Sequence, residues 1–136
     1  MFKLVKILNS GTNVAEPQYV PTDPDNDYYA GSVIKISGGV ATNVNPTDIP
    51  THVVCETVEF GTKKRLLCYK IDPNMVFEAA FSASPVGLKV GDKVTLALTP
   101  TLAQGITANT TSGVAEIIDL AGAKNTGDTA YVIFPG

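Results

Sequence analysis

Three carboxylates alternate along "TDPDNDYYAG": Asp23, Asp25 and Asp27, with Tyr28 and Tyr29 directly after them. Alternating carboxylates open a calcium loop, because oxygen ligands at positions 1, 3 and 5 converge on one ion. The helix–loop–helix calcium site also needs glycine at position 6 and glutamate at position 12. Counted from Asp23, those positions are Tyr28 and Ile34. Pro24 between two aspartates suits a type I turn. The stretch therefore reads as a solvated acidic turn, and no metal site is assigned. Tyr19, Tyr28 and Tyr29 are the residues here suited to a partner contact, since tyrosine buries much area at low entropic cost. Their competing use is to cover one end of a core.

Nucleophilic catalysis needs a base held against Ser, Cys or Thr. The single histidine, His52, precedes Cys55 by three residues in "PTHVVCET", so on an extended strand the two side chains point to opposite faces. One histidine and two cysteines leave the fourth ligand of a zinc site unspecified. Glu56, Glu59, Glu78, Asp92, Glu116 and Asp119 sit on or beside strands, but their spacing selects no acid–base pair. "GLKVGDK" lacks the span and the Lys-Ser/Thr ending of a phosphate loop. No catalytic or cofactor-binding residue is assigned, and a protein without enzymatic turnover is expected.

The chain of 136 residues suffices for one domain with its own core. Its charged fraction is 17%, against roughly 25% in an average globular protein. So lightly charged a surface suits a chain that covers part of its outside with copies of itself or with a partner. The net charge of −3 argues against an electrostatic grip on nucleic acid or anionic lipid. Aromatic residues do not interleave with basic ones as a base-stacking platform requires. Lys63, Lys64 and Arg65 read as a solvated hairpin tip. "MFKLVKILNSG" is too short and too interrupted by Lys3 and Lys6 for a signal peptide or a membrane span. Two cysteines do not make a secreted disulfide framework.

The positioning elements are strands. Twelve glycines and nine prolines leave few breaker-free windows, and Val, Ile, Thr, Tyr and Phe fill the runs between them. "FKLVKIL" opens as a strand with Phe2, Leu4 and Lys6 on one face. A polar connection with Pro17, Pro21 and Pro24 follows, in which "AEPQYV" runs extended. "GSVIKIS" and "VATNV" form a hairpin across Gly38-Gly39, a pair that accepts positive φ. "THVVCETVEF" and "KKRLLCYKI" form another, centred on Gly61-Thr62. "PTDIP" and "DPN" are turns, and "MVFEAAFSA", Lys93 to Leu98, "QGITAN", "GVAEIIDLA" and "GDTAYVIF" supply the remaining strands. Single helical turns fit near Thr47–Ile49 and Leu120–Lys124. Eight to ten short, evenly spaced strands argue a single all-β domain, a small barrel or a β-tulip. The expected organisation is residues 1–29 as a strand plus an extended polar arm or loop, and residues 30–136 as the core. A two-residue turn at Gly61-Thr62 would set Cys55 opposite Cys68 at a non-hydrogen-bonded position, Cα atoms about 4.5 Å apart. In a reducing cytosol both would be free, buried thiols.

From Ala30 onward, "YAGSVIKISGG", "PTHVV", "VGLKVGDKVTL" and the closing "GDTAYVIF" resemble the head decoration, or cement, proteins of tailed bacteriophages. The resemblance lies in strand-and-turn patterns spanning Ala30 to Phe134. It implies a β-rich virion protein made in the host cytoplasm. Its place would be the exterior of a phage capsid, on the major capsid protein, commonly as a trimer. Residues 9–29 would suit a shell-gripping arm, although this chain begins with a strand where the lambda-type pattern does not. A bacterial β-barrel module that binds a small molecule or glycan is the alternative.

Overall fold

The computed structural model describes residues 1–8, 17–22, 27–57, 65–98 and 102–136. These residues contain no helix. Their strands, in chain order, are β1 (Lys3–Ile7), β2 (Pro17–Pro21), β3 (Val33–Ser37), β4 (Val40–Asn43), β5 (His52–Val54), β6 (Arg65–Lys70), β7 (Met75–Ala80), β8 (Lys93–Val94), β9 (Leu96–Leu98), β10 (Ala103–Ile106), β11 (Ala115–Asp119) and β12 (Thr129–Ile133). They build two antiparallel sheets. One runs β1-β7-β12-β11-β8; the other runs β2-β6-β5-β3-β10-β9, with β4 paired to β3. The all-β expectation holds, but the sheets do not close into a barrel. Isolated parallel bridges draw Thr22 to Ala41 and Phe81 to Ile106, the latter tying the two sheets together.

Two hydrophobic cores follow from the side-chain period of two. The larger fills the space between the sheets, with Val33, Val53, Phe77, Leu96, Ile106, Ile117 and Val132 among its members. Phe2, Phe77 and Phe134 meet there, ring centroids 5.5 to 6.5 Å apart, within the range where tilted and edge-on pairs are favourable. The smaller holds Val20, Tyr28, Ile34, Ala41, Val54, Leu66 and Cys68. Val33-Ile34 and Val53-Val54 thus split between the cores, which is why β3 and β5 are apolar on both faces.

Gly38 and Gly39 have φ of 60° and 82°, the left-handed pair that the tight β3–β4 turn demands. Near Thr47 and Leu120 the chain makes single turns closed by Asp48 N–H to Asn45 O and Ala123 N–H to Leu120 O. The expected single strand from Lys93 to Leu98 instead breaks at Thr95 and changes sheets. Thr95 is buried there with its hydrogen bonds met by Asn109 O, Thr107 N–H and the Thr107 hydroxyl.

The described parts of residues 1–29 are built into both sheets. Phe2 is buried in the larger core, β1 pairs with β7, β2 pairs with β6 over Pro17–Pro21, and Tyr28 is buried in the smaller core. The face expected for the opening strand is corrected beyond Leu4. The register shifts between Leu4 and Lys6, so Val5 is an extra residue, Ile7 turns to the core and Lys6 turns out.

Candidate interaction surfaces

The outer face of the five-stranded sheet carries an ordered array of side chains. Across it, β1, β7, β12 and β11 set Lys3, Glu78, Tyr131 and Asp119 side by side. The next strip sets Lys6 opposite Val76, and Ile133 opposite Glu116, which faces Lys93. Opposite charges face each other at Lys3–Glu78 and Glu116–Lys93, a cross-strand arrangement that stabilises register. Two bulges break this order. One inserts Val5 into β1 and the other inserts Ile118 into β11, between Ile117 and Asp119. Between them lies a depression of about 270 Å³ lined by Val5, Lys6, Val76, Ile118, Asp119 and Tyr131. Val76 is its fully buried floor. Lys6 and Asp119 contribute opposite charges to its lining, and Asp119 Oδ1 also accepts from Ala121 N–H at 2.8 Å. Bulges re-aim side chains in this way at functional edges of sheets.

A second surface is the loop between β7 and β8. It exposes Val86 at 79% and Val90 at 63%. Asp92 caps this loop by accepting Lys89 N–H at 2.8 Å, and Gly91 N–H donates to Ile117 O at 2.8 Å. A smaller cavity of about 190 Å³ lies where the sheets meet, beside Met1, Phe81 and Gln104. The Met1 amine donates to Gln104 O there, and burial lowers its pKa from the ordinary value.

The three candidate tyrosines separate. Tyr19 is 57% exposed on the edge strand β2, with the Arg65 guanidinium 5.2 Å from its ring centroid. Tyr19 pairs with Leu67, so Arg65 is its diagonal neighbour, a cation–π contact at an exposed site. Tyr29 is 39% exposed in the turn before β3. Tyr28 is 1% exposed and its hydroxyl donates to Ala41 O at 2.8 Å. The partner-contact assignment is therefore corrected for Tyr28: it is a core residue whose polar tip is satisfied by backbone. Strands β6 and β5 lie between β2 and β3, so Tyr19 and Tyr29 are separate features. Of the three alternating aspartates, Asp27 alone is among the described residues. Asp23 and Asp25 lie outside them, as do Glu59, Lys63, Lys64 and the Gly61-Thr62 turn. Among the described residues no three His, Cys, Asp or Glu side chains gather.

The cysteine pairing is also corrected. Val54, not Cys55, stands opposite Cys68, and Cys55 N–H donates to Leu67 O at 2.9 Å. The one-residue difference turns the two thiols to opposite faces of the pair. Both are free; Cys68 is buried and Cys55 half-buried. Burial pushes the Cys68 thiol up to about 12, with Cys55 and Glu56 adding to it, and burial likewise raises Cys55. His52 is buried on β5 between Ile34 and Lys70, its Nδ1 2.8 Å from the Thr51 hydroxyl. Burial lowers its pKa, and the Lys70 charge lowers it further. The carboxylates singled out from sequence take structural parts: Glu56 accepts Leu67 N–H, Asp92 and Asp119 cap turns, and Glu78 and Glu116 face lysines. The depression was not expected because strict alternation turns Lys6 and Asp119 to the core side, whereas the bulges at Val5 and Ile118 bring both to the outer face. No protein-family model matches the chain, and no curated protein matches it.

Proposed function

We propose that the protein is a structural component of a bacteriophage virion. It binds the exterior of the capsid as a homo-oligomer and stabilises the shell by bridging neighbouring major capsid proteins. The observation that carries this reading is the braced loop that holds Val86 and Val90 in solvent. β-branched side chains presented from an ordered loop lose little entropy on docking, which favours a contact role. The low charged fraction and the strand-and-turn resemblance from Ala30 to Phe134 support the same role. Bridging works by avidity: each contact need only be modest when one molecule engages two shell subunits at once.

A small-molecule binding module is the second reading, favoured by the depression with Lys6 and Asp119 in its lining. Co-sedimentation with heads of the encoding phage that lack this protein separates the two. Saturable pelleting at a fixed ratio to the shell protein is expected. A protein that stays in the supernatant at saturation overturns the capsid reading.

A further inference from the structure

On the outer face of the five-stranded sheet some charges are matched across strands and others are not. Lys3 stands opposite Glu78, and Glu116 opposite Lys93. Lys6 stands opposite Val76, and Asp119 opposite Tyr131, so neither faces a charge of the opposite sign. Both unmatched residues follow a bulge, Lys6 after Val5 and Asp119 after Ile118. Without the extra residue each side chain would turn to the core. Neither enters an ion pair: among the described residues the one salt bridge joins Lys35 to Asp48. Asp119 is nonetheless held in place, because its Oδ1 accepts Ala121 N–H at 2.8 Å. Its Oδ2 is left for a second donor.

These two charges stand on opposite walls of the depression of about 270 Å³, with Val5, Val76 and Ile118 between them and Tyr131 alongside. An apolar middle with one cation and one anion at its ends fits a linear zwitterion that carries an apolar group at its centre. The spacing sets its length. Strands β1 and β11 are three strand spacings apart, or about 14 Å, and the two residues are offset along the strands by ~7 Å. The lysine stem and the aspartate side chain close much of that distance. The remaining gap suits a chain of about two or three residues, at about 3.3–3.6 Å each. A single amino acid, with both charges on one carbon, is too short to reach both walls. The volume lies at the small end of ligand sites, which run from about 300 Å³ upward. We propose that the depression binds a short unblocked peptide, its terminal carboxylate on the Lys6 ammonium, its terminal ammonium on Asp119 Oδ2 and an apolar side chain over Val76. This site rests on the small-molecule reading of the depression and is independent of the capsid reading, whose contact loop lies between β7 and β8.

The test titrates the isotope-labelled full chain with alanyl-leucyl-alanine and follows its amide NMR signals. Saturable shifts should centre on Val5, Lys6, Val76, Ile118, Asp119 and Tyr131. Acetylating the amino terminus or amidating the carboxyl terminus removes one charged hydrogen bond, so each blocked peptide should bind about tenfold more weakly or worse. Leucine alone should bind as weakly as the blocked forms. Two variants assign the ends. K6Q should lose the discrimination against the amidated peptide and keep that against the acetylated one. D119N, which keeps an oxygen for Ala121 N–H, should do the reverse. Absence of saturable shifts overturns the inference, and so do shifts centred elsewhere. Free and blocked peptides that bind the depression equally also overturn it, while leaving the small-molecule reading in place. The comparison of free and blocked peptides uses the parent protein alone, so it decides the matter even where a variant folds poorly.

Discussion

Replacing Tyr28 tests the division of the tyrosines into core and surface. Its ring is 1% exposed among Val20, Ile34, Ala41, Val54 and Leu66, and its hydroxyl donates to Ala41 O at 2.8 Å. Tyr28→Ala removes a whole aromatic side chain from that core and leaves a cavity, a loss of about 3–5 kcal/mol. A domain of this size has about 5–15 kcal/mol in total, so the variant should be marginal or unfolded. Tyr28→Phe keeps the ring and removes only the donor. It removes that hydrogen bond and should cost about 0.5–1.5 kcal/mol. Tyr29→Ala, at a half-exposed turn position, should change stability by less than about 0.5 kcal/mol. Equilibrium urea unfolding measures all three, with a lowered midpoint and an unchanged slope for Tyr28→Phe. A Tyr28→Ala protein within about 0.5 kcal/mol of the parent would refute the placement of Tyr28 in the core.

Three other outcomes are expected. Removing residues 1–29 deletes β1, β2, Phe2, Val20 and Tyr28 from the two sheets and both cores, so the remaining chain should lack a cooperative unfolding transition by circular dichroism. His52 has a lowered pKa in the folded state, so the unfolded chain binds the proton more readily. Stability should therefore fall as pH drops below 6.5 and level off below the folded-state pKa, by about 1.4 kcal/mol for each unit between the two. His52→Gln should flatten that segment of the stability curve, and an unchanged slope would remove His52 as its cause. With a thiol reagent at pH 8, Cys55 should react slowly and Cys68, raised to about 12 by burial, only when the protein unfolds. Rapid titration of both thiols in the native protein would contradict the burial of Cys68.

How much of this was legible in sequence depended on whether local chemistry or register decided it. The Gly38-Gly39 turn was legible because only positive φ closes so tight a hairpin, and the sequence names the two residues that accept it. The strand character of "MVFEAAF" and "GDTAYVIF" was legible from apolar runs and alternation. Register was not. The expected pairing of Cys55 with Cys68 missed by one residue, and a slip of one inverts every facing. The change of sheet at Thr95 was hidden because Val94 and Leu96 keep the same alternation through the break, each buried on the core side. The depression was hidden for a related reason. Lys6 and Asp119 reach the outer face only because bulges at Val5 and Ile118 interrupt their strands, and each bulge is set by the neighbouring strand, β7 or β12, and not by local sequence. Tyr28 and Tyr29 are adjacent and chemically identical, so only the tertiary position of Ala41 O distinguishes the buried one.

The central claim, that the protein reinforces a phage shell from outside, is tested most directly by heating. Heads of the encoding phage lacking this protein are saturated with it, and the temperature at which they rupture and release DNA is compared with that of bare heads. A molecule that binds the intact shell and not its separated subunits stabilises the shell by mass action. Rupture should therefore move to higher temperature as the protein is added and stop moving once its sites are filled. An identical rupture temperature with and without saturating protein would contradict the account.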